Sequence, residues 1–87
     1  MIIHREIARE VEPSYGKIGA RVSVVKYDDG TYDIAVLVKR YSFSDWEVDY
    51  DIFPDTFKAE TSMEVYGIIQ NVIAPAYWEQ YEIDLTF

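Results

Sequence analysis

Asp29-Gly30 stands between two β-branched runs, residues 22–27 (Val-Ser-Val-Val-Lys-Tyr) and residues 31–38 (Thr-Tyr-Asp-Ile-Ala-Val-Leu-Val). An Asp-Gly dipeptide in that setting favours a two-residue reversal with positive φ at both central positions, so a β-hairpin is expected here. Such a turn fixes a register. Tyr27 faces Tyr32, Lys26 faces Asp33, Val25 faces Ile34 and Val22 faces Leu37. A hairpin is marginal alone, so the rest of the chain must supply a layer to bury one of its faces.

The flanking segments offer that layer. Ile3, Ile7 and Val11 recur every four residues beside Ala8, with Glu6, Arg9, Glu10 and Glu12 on the other side; this spacing predicts a short amphipathic helix stopped by Pro13. A second reversal near Ser44-Asp45 sends residues 46–52 back along the second strand and sets Arg40 opposite Asp49. Trp46, Val48, Tyr50 and Ile52 then point one way, and Glu47, Asp49 and Asp51 the other. Thr61 followed three residues later by Glu64 is a capping-box signature. It opens a helix whose stripe is Val65, Ile68, Ile69, Val72 and Ile73, weakened by Gly67 and interrupted by Pro75. Tyr81, Ile83, Leu85 and Phe87 alternate with polar residues, which predicts a short final strand.

The expected fold is therefore α+β, one small domain over residues 1–87. It has an antiparallel three-stranded meander, an N-terminal helix, a C-terminal helix packed on one face, and the final strand. The expected core face is Val22, Val24, Ala35, Leu37, Phe43, Trp46, Val48, Tyr50 and Ile52. The other face carries Val25, Tyr27, Tyr32, Ile34, Val36 and Val38. A one-residue slip in register would exchange the faces.

Composition narrows function. There is no cysteine among the 87 residues, which excludes a disulfide framework, a thiolate metal site and a cysteine nucleophile. The longest aliphatic run, residues 34–38, is too short to span a membrane, and the charged start, Met1 to Glu6, does not read as a signal peptide. The expected location is the cytoplasm, or the host cytoplasm for a phage-encoded chain, with no membrane partner. The formal charge is −8, and it is uneven: residues 1–44 hold seven basic against six acidic side chains, residues 45–87 hold Lys58 against ten acids. That balance argues against direct binding of nucleic acid.

Asp45, Glu47, Asp49 and Asp51 fall at alternate positions, and on a strand they would form one row spaced by about 6.8 Å. Such a row resembles a phosphate backbone in projection and suits a groove lined by Lys and Arg. Its plainer reading is a solvated strand whose charges discourage edge pairing. An EF-hand over residues 45–56 fails, because Tyr50 stands where glycine is needed and Thr56 where glutamate is needed. His4 is the only histidine, and no serine sits in a nucleophile-elbow context, so no enzyme, metal or cofactor is expected.

Eight tyrosines add area with a polar tip, as interfaces favour. The candidate partner-binding residues are Asp45, Glu47, Asp49, Asp51, Asp55, Glu79 and Glu82 with Tyr27, Tyr32 and Tyr81. The expected partner is a basic, nucleic-acid-handling protein. In size, charge and lack of cysteine the chain resembles small acidic phage-encoded inhibitors, including anti-CRISPR proteins and other DNA mimics, and nuclease-immunity proteins by the same physics. No motif ties it to one family. The alternative is a self-assembling structural or adaptor protein, a homodimer through the apolar hairpin face around Val25, Tyr27, Tyr32, Ile34 and Val36.

Overall fold

The computed structural model describes residues 1–86. The elements in order are β1 (Ile2–Val11), β2 (Gly19–Tyr27), β3 (Tyr32–Lys39), β4 (Glu47–Val48), β5 (Phe57–Ala59), α1 (Ser62–Ile68), a π-helical turn (Ile69–Ile73) and α2 (Ala74–Tyr81). The sheet is antiparallel, ordered β1-β2-β3-β4, with β5 also on β3. β4 pairs with Leu37 and Val38 at one end of β3, β5 with Tyr32 to Ile34 at the other. Between them the Asp49 N–H donates to the Val36 carbonyl at 2.8 Å.

The hairpin forms where expected, but with a three-residue loop. The Gly30 N–H donates to the Tyr27 carbonyl at 3.0 Å and the Tyr27 N–H to the Thr31 carbonyl at 2.9 Å. Only Gly30 takes a positive φ there, +89°. This is the geometry of a type I turn closed by a glycine bulge. Asp29 Oδ1 holds it by accepting from Thr31 N–H at 2.9 Å and Thr31 Oγ1 at 2.6 Å. The extra residue shifts the register by one, so Lys26 pairs with Tyr32, Val24 with Ile34 and Val22 with Val36.

That shift exchanges the faces of β3. Ile34, Val36 and Val38 are buried beside Ala20, Val22 and Val24, while Ala35 and Leu37 lie on the other face. Three β-branched side chains under the helix bury more apolar surface than Ala35 and Leu37 would, which favours this register. The apolar hairpin patch expected on the outer face therefore loses Ile34 and Val36 to the core.

Residues 2–11 are a strand, not a helix. A helix that short is marginal in isolation, and the outer edge of β2 offers a full row of backbone partners to β-branched Ile2, Ile3, Ile7 and Val11. Irregularities between Ile2 and His4 and between Ile7 and Arg9 break the four-residue repeat between two faces. Val11 and Ala8 pack against the core, whereas Ile3 and Ile7 stay exposed. The third long strand is likewise absent, since β4 is two residues and the chain then loops out to β5. Arg40 consequently meets Asp51, not Asp49. Phe43, expected in the core, is 87 % exposed and stacks on Tyr41 at 5.3 Å, and Tyr50 is exposed too. Trp46 lies on the outer face with the Arg21 guanidinium 4.2 Å from its ring centre.

The helical layer matches the expectation at its start. Thr61 Oγ1 accepts from the Glu64 N–H at 3.1 Å, and Glu64 Oε2 accepts from the Glu60 N–H at 3.3 Å. Val65, Ile69, Ile73 and Tyr77 are all buried at four-residue spacing. In a pure α-helix that stripe drifts by about 40° per step. The π-helical turn absorbs much of the drift, and it falls directly before Pro75, whose ring has no N–H to donate and crowds the turn before it. The helix ends with Glu82 in the left-handed region, φ 55°. Its N–H donates to Trp78 O, the bond of an αL closure, and the Ile83 N–H donates to Tyr77 O. Residues 83–86 form no strand, yet Ile83 and Leu85 are buried. Phe87, the last residue of that expected strand, lies outside the described residues.

Gly67 sits in α1, and the side-chain atom nearest to where a Cβ would stand is Asn71 Nδ2 one turn on, at 4.0 Å. Gly67→Ala is therefore expected to stabilise the fold by about 1 kcal/mol. A urea midpoint that rises without a change in slope would show it; a lower midpoint would mean the helix needs the glycine.

Candidate partner-binding surface

The loop between β4 and β5 is pinned to the last turns of the helix, and Asp49 is the pin. Its carboxylate accepts from the Tyr77 hydroxyl on Oδ2 and from the Asp51 N–H on Oδ1 at 2.9 Å. Asp49 is 6 % exposed and Tyr77 fully buried. Phe53 packs at 6.3 Å from the Tyr77 ring and edge-on to Phe57 at 5.0 Å, and Tyr81 lies 5.6 Å from Tyr77. Burial and the Asp49 carboxylate together push the Tyr77 phenol far above its ordinary range. Burial, and then Asp49, raise that of Tyr81 as well.

The sign of the resulting pH effect follows directly. A phenol whose folded pKa is raised stabilises the fold fully below its unfolded pKa of 10.0, and that contribution is lost as pH climbs beyond it. Thermal stability is expected to fall above about pH 10 and to fall less steeply in Tyr77→Phe. Equal slopes for the two proteins would contradict the assignment.

With the loop pinned, its other acids and those of the segment leading into it face outward. Asp45, Glu47, Asp51 and Asp55 are exposed, as are Glu79 and Glu82 at the helix end, and Tyr50 beside them. Asp51 approaches the Arg40 guanidinium at 3.8 Å, both ends exposed, an ion pair of little strength. Among the described residues no ion pair engages Asp45, Glu47, Asp55, Glu79 or Glu82. The four alternate acids do not form one row. Only Glu47 lies on a strand, and Asp49 points into the protein. Asp49 thus belongs to the architecture of the surface and not to its contacts.

Tyr27 and Tyr32 lie apart from these acids, at the far end of β3. The Tyr27 hydroxyl donates to Asp33 at 2.6 Å, and Lys58 Nζ donates to the other Asp33 oxygen at 2.8 Å. Those two donors, Lys58 first, hold the Asp33 carboxyl below the usual range, and the Asp33 bond raises the Tyr27 phenol. Tyr32 is half-buried with Lys26 Nζ 5.6 Å from its ring centre. Tyr81 alone of the three expected tyrosines adjoins the acidic loop.

Two features had no clear signature in sequence. A groove of about 620 Å³ runs between residues 13–18 and 40–43, with Tyr15, Tyr41 and Phe43 exposed along it. The outer sheet face gathers Arg21, Lys39 and Trp46 at one end, with Arg21 Nε 2.5 Å from Glu10. Aromatics in polar loops were the only hint of the first; the second depends on pairing across strands. Among the described residues no three His, Asp or Glu side chains converge as a metal would require. No protein-family model matches the chain, and no curated protein or solved structure is significantly similar to it. No helix is long and apolar enough to cross a membrane among the described residues.

Proposed function

We propose that the chain is a non-catalytic, protein-binding inhibitor that occupies the basic, nucleic-acid-binding site of a partner, in the manner of an acidic nucleic-acid mimic, within the cytoplasm. The observation that carries this reading is β4 with the pinned loop after it, which present Glu47, Asp51 and Asp55 outward without strong counter-charges and beside exposed Tyr50. Unneutralised acids on a fixed scaffold lose little entropy on docking, and an opposed field speeds association. A contact of this kind is salt-sensitive. The chain, immobilised, is expected to retain a basic nucleic-acid-handling protein from nuclease-treated lysate at about 50 mM salt and to release it at about 500 mM. Retention only through nucleic acid, lost on nuclease treatment, would defeat the proposal.

A further inference from the structure

β1 is the free edge of the sheet, and it is long. Its ten residues span about 33 Å, and among the described residues no strand lies beside its outer side, which presents backbone donors and acceptors. Ile3 and Ile7 are 57 % and 52 % exposed along it. Edges are commonly protected by charge, and β1 has charges, but their order has a consequence. The charged pattern is Arg5, Glu6, Arg9, Glu10. Laid antiparallel against a second copy with Ile7 opposite its own copy and Ala8 bulged out of the ladder, Arg5 meets Glu10 and Glu6 meets Arg9, each twice by symmetry.

The irregularity after Ile7 makes that register geometrically consistent. Arg5 pairs with Val25 and Glu10 with Arg21, and Val25 and Arg21 share one face of β2. Glu6 pairs with Val24 and Arg9 with Val22, which share the other. Each charge therefore meets its opposite on its own side of the sheet. The neighbouring registers are repelled. A slip by two positions in one direction sets Glu6 against its own copy, and in the other sets Arg9 against its own copy; like charges directly opposite are destabilising. Ile7 and its copy sit at the two-fold axis, giving the contact an apolar centre.

We propose that two copies of this chain join edge to edge through β1, in the register that pairs Arg5 with Glu10 and Glu6 with Arg9, to form one continuous sheet across a two-fold axis. This site is separate from the acidic loop and stands whether or not that loop binds a partner. The test is mass in solution by light scattering and sedimentation across micromolar concentrations. The unaltered chain is expected at twice 10.2 kDa. Glu6→Arg and Arg9→Glu should each weaken the dimer by about ten-fold or more, and the two together should restore it. Ile7→Glu, at an exposed site that leaves the fold intact, should give a monomer even if Arg9→Glu misfolds. A monomeric parent chain overturns the proposal, as does a dimer that survives Ile7→Glu, or a double variant no better than the singles.

Discussion

Tyr77→Ala is expected to lower the unfolding free energy by about 4 kcal/mol. Two effects add. The ring is fully buried between the sheet and Phe53, so its removal leaves a cavity that the helix cannot close around. The hydroxyl is the side-chain donor to Asp49 Oδ2, so its removal leaves a buried carboxylate short of a partner. A domain of this length holds about 4–13 kcal/mol in all, so the variant would be near its limit at ambient temperature. Tyr77→Phe isolates the second effect and should cost about 2 kcal/mol. Pairing it with Asp49→Asn closes a double-mutant cycle. Urea unfolding of the four proteins checks this. If Tyr77→Phe is as stable as the parent, the Asp49 bond does not hold the loop, and the geometry of the acidic surface has no anchor.

Glu47→Lys combined with Asp51→Lys should reduce partner affinity by about ten-fold or more and leave Tm nearly unchanged. Both side chains are exposed, and the one ion pair involved, Arg40 with Asp51, is long and solvated. The formal charge moves from −8 to −4, so the association rate should fall and its salt dependence flatten. Asp49 is unsuited to this test, because a lysine there would be forced against Tyr77. Equal affinity for the double variant would mean that the acids only solvate the loop.

The features legible in the sequence were those set by neighbours along the chain. Thr61 and Glu64 mark the helix start because capping is local. Ile83 and Leu85 read as buried because alternation is local, although no strand pairs with them. The hairpin was legible and its register was not, since Asp28-Asp29-Gly30 closes as a three-residue loop, and one residue decides which face of β3 meets the helix. The helical spacing of Ile3, Ile7 and Val11 misled because the edge of β2 outweighs a weak helical preference. The acidic row failed for a related reason. Its alternation is real, but β4 stops after two residues, and the register that sets Asp49 beside buried Val36 turns it to the helix side, where the hydroxyl of a tyrosine 28 residues away donates to it.

If the acidic surface takes the place of nucleic acid, the two must compete for one partner. A captured basic partner would be loaded with a labelled oligonucleotide, and the chain titrated in at about 50 mM salt. The oligonucleotide is expected to be displaced as the chain binds, and the Glu47→Lys and Asp51→Lys double variant to displace it only at about ten-fold higher concentration or more. A ternary complex, with chain and oligonucleotide held together on the partner, would contradict it.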